Sequence, residues 1–285
     1  MNQQVKPILK WVGGKTQLLS ELYSLLPNEK ITTYCEPFLG GGAMLFNIQP
    51  NIAYVNDSNT ELINVYNTIK LYPEELILEL NKYDNTSDFY YKIRSLDREP
   101  DKFMNLSSIQ RAARFIYLNK TCFNGLYREN SKGQFNVPYG NYKNPNFINM
   151  IGIRNMSQYF NTANIHFTSC DFSQILNIIP SESFVYIDPP YDPISETSNF
   201  TNYTSKSFTK IDQVRLRDCC DNLTKRGIKF MLSNSDTDFI RYLYINYNIT
   251  EVLARRNINC NGNKRNSIKE LVIRNYDYKQ CRYII

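Results

Sequence analysis

The sequence predicts an α/β fold: an open, mainly parallel mixed sheet with helices on both faces, interrupted by a mainly helical insert. Three observations predict it. Short apolar runs alternate with helical patterns, as in parallel strands joined by crossover helices. Glycines or acids follow directly on several of these runs, at the strand ends where open sheets hold ligands. The alternation lapses between about Thr60 and Ala163 and then resumes.

Residues 31–35 (ITTYC) are the first apolar run, followed by the glycines at 40–42 and an apolar stretch, Ala43–Ile48. Residues 52–55 (IAYV) precede Asn56-Asp57 and a helical pattern over Glu61–Leu71. Three more helical patterns follow with no strand between them: Pro73–Lys82, Ser87–Arg98 and Ser107–Leu118. From Asn119 to Pro145 the chain is rich in Gly, Asn and Tyr. The whole stretch is too long for a crossover. It reads as a domain inserted in the core, residues 60–161, with residues 1–59 and 162–285 forming the α/β domain. The strand pattern resumes at 164–169, before Cys170-Asp171 and a helix over Phe172–Ile179. Residues 183–187 (SFVYI) precede Asp188-Pro189-Pro190-Tyr191. A helix around Ile211–Arg226 leads to a strand at 228–232. Two last strands, Tyr247–Leu253 and Glu270–Tyr276, flank a polar, basic loop and read as an antiparallel hairpin.

Composition narrows the chemistry. With 285 residues, 42% of them hydrophobic, the chain can bury a full core. No apolar run approaches the roughly 18 residues of a membrane helix, and residues 1–10 have no signal-peptide core. His166 is the single histidine, so His-dependent catalysis and a His-rich metal site are not expected. The seven cysteines include no CxxC pair, which favours free thiols in a reducing cytoplasm over zinc or disulfides. The net charge of +6 is uneven. Residues 205–285 hold 16 bases and 8 acids, and residues 102–154 hold 8 bases against Glu129 alone. Residues 54–101 are acidic, with 10 acids and 5 bases. Two basic segments could form two sides of a nucleic-acid groove; a solvated surface accounts for the charge equally well.

Several motifs carry chemistry. Gly13-Gly14-Lys15-Thr16 ends like a phosphate-binding loop, but Leu9 stands where that loop needs its first glycine. The turn Glu36-Pro37-Phe38-Leu39-Gly40-Gly41-Gly42 links a strand to a helix, and its glycines allow close backbone approach to a ligand. Leu45 replaces the last glycine of a dinucleotide fingerprint, which disfavours NAD. Asp57, 17 residues beyond Gly40, ends the second strand and can accept bonds from ribose hydroxyls. A ligand with a ribose and no pyrophosphate fits, and S-adenosyl-L-methionine (SAM) is one; a purely structural glycine turn is the competing reading. In Asp188-Pro189-Pro190-Tyr191, the prolines have no N–H to donate and turn their carbonyls outward as acceptors. A carboxylate, a carbonyl and an aromatic ring at a strand end can hold an exocyclic amine and stack its ring.

The order of four segments resembles that of Dam-type (D12 class) DNA adenine-N6 methyltransferases. They are Lys10–Lys15, Glu36–Gly42, Asn56-Asp57-Ser58-Asn59 and Asp188–Tyr191. The resemblance extends to Asn124-Gly125-Leu126-Tyr127-Arg128, Gly133–Lys143, Pro193–Phe200 and Ser233-Asn234-Ser235, and so to nearly the whole chain. It implies a Rossmann-like, SAM-dependent methyltransferase sheet with an inserted DNA-recognition domain. It implies a site-specific DNA adenine-N6 methyltransferase that takes its methyl from SAM and acts on an adenine flipped from duplex DNA, in GATC. In such enzymes the positions of Trp11, Lys15, Phe38, Gly40, Gly42, Asp57, Asp171, Phe172 and Asp188 line the cofactor pocket. Those of Asp188, Pro189, Pro190 and Tyr191 hold the target adenine. Those of Lys10, Phe123, Asn124, Leu126, Arg128, Pro138 and Tyr142 meet DNA, with Phe123 as the wedge that fills the vacated stack. Asn141 departs from the pattern, where several members carry Arg. The expected partners are double-stranded DNA and a cognate restriction endonuclease acting separately; a cytoplasmic monomer without metal or membrane contact is expected. RNA or protein-glutamine methylation is the alternative chemistry, although such enzymes more often carry Asn at the first position of the tetrapeptide. A catalytically silent DNA-binding module is the other alternative, and the intact Asp57, Asp188 and Tyr191 argue against it.

Overall fold

The computed structural model describes residues 5–11, 13, 15, 18–194, 208–254 and 268–277. Seven strands form one sheet: β1 (Thr33–Glu36), β2 (Ile52–Asn56), β3 (Asn164–Thr168), β4 (Ser183–Ile187), β5 (Lys229–Ser235), β6 (Asn248–Ala254) and β7 (Ile268–Arg274). Their order is β3-β2-β1-β4-β5-β7-β6. The strands from β3 to β5 pair in parallel, and β7 runs antiparallel to both β5 and β6. The mixed sheet and the antiparallel final pair agree with the expected architecture. Successive residues alternate between faces, as the pleat requires. Tyr34, Phe184, Tyr186 and Met231 join one apolar cluster, while Cys35, Val185, Ile187, Phe230 and Leu232 join another.

The second cluster is covered by α9 (Phe172–Ile178), α10 (Lys210–Lys225) and α11 (Asp238–Leu243). The first takes α1 (Leu19–Ser24), α2 (Ala43–Ile48) and five of the helices between β2 and β3. Those five are α3 (Thr60–Leu71), α4 (Pro73–Leu80), α5 (Ser87–Ser95), α7 (Ser108–Thr121) and α8 (Met150–Thr162), while α6 (Pro100–Met104) buries no residue. Tyr66, Leu76 and Tyr117 from this segment share their cluster with Tyr34 and Val55 of the sheet.

Side chains set the helix starts. Asn59 caps α3, accepting from Leu62 N at 3.0 Å. Ser107 with Gln110, and Thr209 with Asp212, form capping boxes on α7 and α10. Helix α8 is not among the expected elements, although Ile153, Met156, Ser157 and Phe160 bury one face at helical spacing. Tyr276, just past β7, donates its hydroxyl to the Leu25 carbonyl at 2.9 Å across 251 residues. Among the described residues no helix is long and apolar enough to cross a membrane.

Candidate active site

The C-terminal ends of β1, β2, β3 and β4 open onto one edge, and buried Asn56 ties three of these ends together. Its amide donates to the carbonyls of Pro37 and Cys170, both at 3.1 Å, and its oxygen accepts from Cys170 N at 2.9 Å and Thr168 Oγ1 at 3.0 Å. Next to it, Asp57 accepts from Gly40 N at 2.8 Å and Asn59 N at 2.9 Å, one bond on each oxygen. Burial raises the Asp57 carboxyl above the usual aspartate value, and these two N–H bonds pull against the rise.

The glycine turn is more tightly filled than the sequence suggests. Gly40 and Gly42 have φ of +49° and +69°. A Cβ at Gly40 would lie 2.6 Å from Trp11 Cδ1, and one at Gly41 would lie 2.9 Å from Trp11 Cβ. The close approach read as room for a ligand is thus made, at these two positions, by the side chain of Trp11. The Trp11 ring also stacks on Tyr127 at 5.5 Å and Phe115 at 6.3 Å. Phe38 meets Phe172 at 5.4 Å, and Phe208 sits edge-on to Phe38 and tilted against Phe172. Asp171 caps α9 through Ser173 N at 3.0 Å and pairs with Arg215 at 2.9 Å.

At the end of β4, Asp188 faces Lys15, whose Nζ lies 2.9 Å from Oδ1. Burial raises the Asp188 carboxyl, with the Lys15 ammonium drawing it back. Lys15 Nζ also donates to the Gly13 carbonyl at 2.9 Å and sits 4.6 Å from the centroid of the Tyr191 ring. The Tyr191 hydroxyl donates to Glu270 Oε2 at 2.8 Å. Of the two proline carbonyls, that of Pro190 turns inward and accepts from Gln213 Nε2 at 2.9 Å. This corrects the expectation that both face outward: of the two, the Pro189 carbonyl is the one with no donor among the described residues. Gln213 is held in turn by Asn234, whose oxygen accepts from Asp192 N at 3.2 Å, so two buried amides brace the chain at Pro190 and Asp192. Glu36, buried beneath the turn, accepts from the Tyr34 hydroxyl at 2.8 Å, and burial raises its carboxyl well above the usual range. Gln213 and Glu270 carry no local sign of this placement, whereas Glu36 and Asn234 lie in segments that carry the family resemblance. Asn56 carries such a sign, because it directly precedes Asp57 at a strand end.

A second group gathers beside α7. Lys10 N donates to Asn119 Oδ1 at 2.8 Å, and Asn119 Nδ2 donates back to Lys10 O at 2.7 Å. Lys10 Nζ sits 4.6 Å from the centroid of Tyr142, whose hydroxyl accepts from Asn124 N at 3.0 Å. Phe123 N donates to Pro138 O at 2.9 Å, while the Phe123 side chain is 51% exposed. Lys10, Phe123, Asn124, Pro138 and Tyr142 therefore meet. Leu126 is half-buried against the core. Arg128 is exposed and donates from Nε to Asn136 Oδ1 at 2.8 Å, with no described bond to the Lys10 group. Burial, then the nearby Lys10 ammonium, lowers Lys120. The basic segment is less free than its charge count implies, because Arg111, Arg114 and Arg154 pair with Glu61, Asp97 and Glu74. The basic loop at 255–265 and residues 195–200 lie outside the described residues.

Residues 11–258 match the family described as D12 class N6 adenine-specific DNA methyltransferase. The chain is 44% identical over 274 residues to the Type II methyltransferase M1.LlaDCHI of Lactococcus lactis subsp. cremoris, covering 95% of this chain and 96% of that one. It is 44% identical over 292 residues to the Type II methyltransferase M.MjaIII of Methanocaldococcus jannaschii, covering 96% and 100%. It is 33% identical over 273 residues to the DNA adenine methylase of Escherichia coli, covering 94% of each. With a mixed seven-stranded sheet and a family match over most of its length, the chain belongs to the D12 class of N6 adenine-specific DNA methyltransferases.

Proposed function

We propose that the chain methylates the N6 amine of an adenine flipped out of duplex DNA, with SAM as methyl donor and GATC as target. The observation that carries this reading is the convergence of Asp188, the Pro189 carbonyl and Tyr191 at one strand end. An exocyclic amine has two N–H groups, and Asp188 and the Pro189 carbonyl are two acceptors. Both bonds turn the nitrogen lone pair away from them, toward the cofactor side of the edge. Tyr191 supplies the stacking face. Such positioning can supply much of a rate enhancement. A flipped base costs a few kcal/mol of unstacking, which the pocket must repay.

The residues suit the cofactor. Asp188 and Glu270 interact electrostatically at this edge, Asp57 lies at the end of β2, and Lys15 is the cation beside Asp188 and Glu270. An acidic pocket fits a ligand carrying a sulfonium and an ammonium. When bound, SAM supplies an electrophilic methyl group. Asp57 keeps lone pairs for ribose hydroxyls beyond its two backbone bonds. Phe38 and Phe172 offer an aromatic wall for the adenine ring, with Asp171 beside it. Trp11, Lys15, Gly40 and Gly42 complete the pocket.

Residues 60–161 serve as the target-recognition domain in this reading. Arg128 suits a bidentate bond to guanine, Leu126 and Pro138 suit a thymine methyl, and exposed Phe123 suits insertion into the stack. Lys10, Asn124 and Tyr142 complete the reading surface. The "Type II" names of the two 44%-identical relatives favour a modification role beside a separate restriction endonuclease. We assign the chain to the cytoplasm as a monomer. Methylation-sensitive sequencing of DNA from cells expressing the chain tests the function. N6-methyladenine in GATC is the expected result; a different motif removes the target assignment, and no methyladenine removes the function.

A further inference from the structure

β7 runs against β5, so its first residues, not its last, lie at the edge that carries Asp188 and Tyr191. Glu270 stands opposite Ser235, the last residue of β5. Its carboxylate thereby takes the Tyr191 hydroxyl at 2.8 Å and comes within 4.0 Å of Lys15 Nζ. Lys15 is 7% exposed, and its ammonium has Asp188 at 2.9 Å as the nearer anion. Two carboxylates thus face one buried ammonium.

Asp188 is the proposed acceptor for the adenine amine. A carboxylate engaged by an ammonium is a weaker acceptor for a neutral N–H. Lys15 also lies over the ring of Tyr191, beside the second group the base needs. Lys15 must therefore loosen its hold on Asp188 when the base arrives. A cation this buried cannot be left without an anion at small cost. Glu270 is the other carboxylate within reach.

We propose that Glu270 is a positioning residue for the target-base pocket. It anchors Tyr191 through the hydroxyl and takes Lys15 as Asp188 engages the amine. The inference rests on the methyl-transfer reading above.

The test compares Glu270→Gln and Glu270→Ala with the wild type on a duplex that the wild type methylates. The measured quantities are kcat, KM, duplex affinity and thermal midpoint. Gln keeps an acceptor for Tyr191 but loses the charge that draws Lys15; Ala loses both. We expect kcat to fall about tenfold in Glu270→Gln and further in Glu270→Ala, with duplex affinity unchanged. In a Tyr191→Phe background the hydroxyl is gone, so Glu270→Ala should cost less than it does in the wild type. Wild-type kcat in Glu270→Gln would overturn the transfer of Lys15. Equal fractional losses in the two backgrounds would overturn the anchoring of Tyr191. Should Glu270→Ala lower the midpoint, Glu270→Met makes the same two deletions with the volume kept. An inactive wild type, or an active Asp188→Ala, would instead fail the methyl-transfer reading itself.

Discussion

Replacing Gly40 with alanine probes the packing that joins the glycine turn to the N-terminal segment around Trp11. Gly40 sits at φ +49°, where an L side chain is strained by about 1–2 kcal/mol. The new Cβ would lie 2.6 Å from Trp11 Cδ1 and 2.7 Å from Nε1, well inside van der Waals contact. The indole has little freedom to retreat, because it stacks on Tyr127 and Phe115. Overpacking of this kind costs about 1–3 kcal/mol. The combined loss is about 2–5 kcal/mol. At roughly 2–4 °C per kcal/mol, the thermal midpoint should fall by about 4–20 °C. Melting curves of Gly40→Ala, Trp11→Ala and the double variant isolate the steric part. Trp11→Ala opens the space, so the double variant should be more stable than the two separate losses predict. A Gly40→Ala protein that melts with the wild type, or strict additivity in the double variant, would refute the packing.

Asp188→Ala should abolish methyl transfer while duplex binding changes only a few fold; retained turnover in a radiolabel assay would remove its amine-orienting role. Arg128→Ala should weaken discrimination at one guanine by about 1–3 kcal/mol, and an unchanged preference across single-base duplex variants would contradict that contact. Duplex affinity should fall steeply with salt, by about 0.9 log unit per log unit of salt for each phosphate contact. Lys132→Ala, which removes an exposed base of the 102–154 segment, should make that slope shallower by about one unit, and an unaltered slope would place Lys132 away from the backbone. Glu36→Gln tests the buried carboxyl. Burial raises Glu36, so the folded chain keeps a proton that the unfolded chain releases above about pH 4.3. Wild-type stability therefore declines as pH climbs from there toward the raised folded value. Glu36→Gln carries no such proton, so its midpoint should gain on the wild type over that window; parallel pH profiles would be the contrary result.

Much of the core was legible because it is written locally. Each parallel strand is a short apolar run ending in a polar or glycine turn, and these ends converge because the strands are parallel. Asp57 and Asp188 could be picked out for that reason. Glu270 could not: its place depends on β7 entering between β5 and β6 in reverse, a pairing without local trace. Gly40 and Gly41 were visible as points of close approach, but the group approaching them, Trp11, is 29 residues from Gly40 in sequence. Counting charge by segment also misled. The acids of 54–101 and the bases of 102–154 fold against one another, so Arg111, Arg114 and Arg154 are neutralised by Glu61, Asp97 and Glu74. Helix α8 was readable from its spacing, but it follows a Gly- and Asn-rich stretch that breaks the pattern.

The reversed last strand has a consequence for synthesis. Asp188 and Glu270 are separated by 82 residues, and Tyr276 closes onto Leu25 from the far end of the described chain. At about 5–20 residues per second, a nascent chain carries the tetrapeptide for roughly 4–16 s before Glu270 is even polymerised. During that interval Lys10 and α7 can already come together, while the edge at Asp188 and Tyr191 lacks Glu270. Completion of the Asp188 edge is therefore a late event in synthesis, and a product truncated before β7 would lack the partner of the Tyr191 hydroxyl.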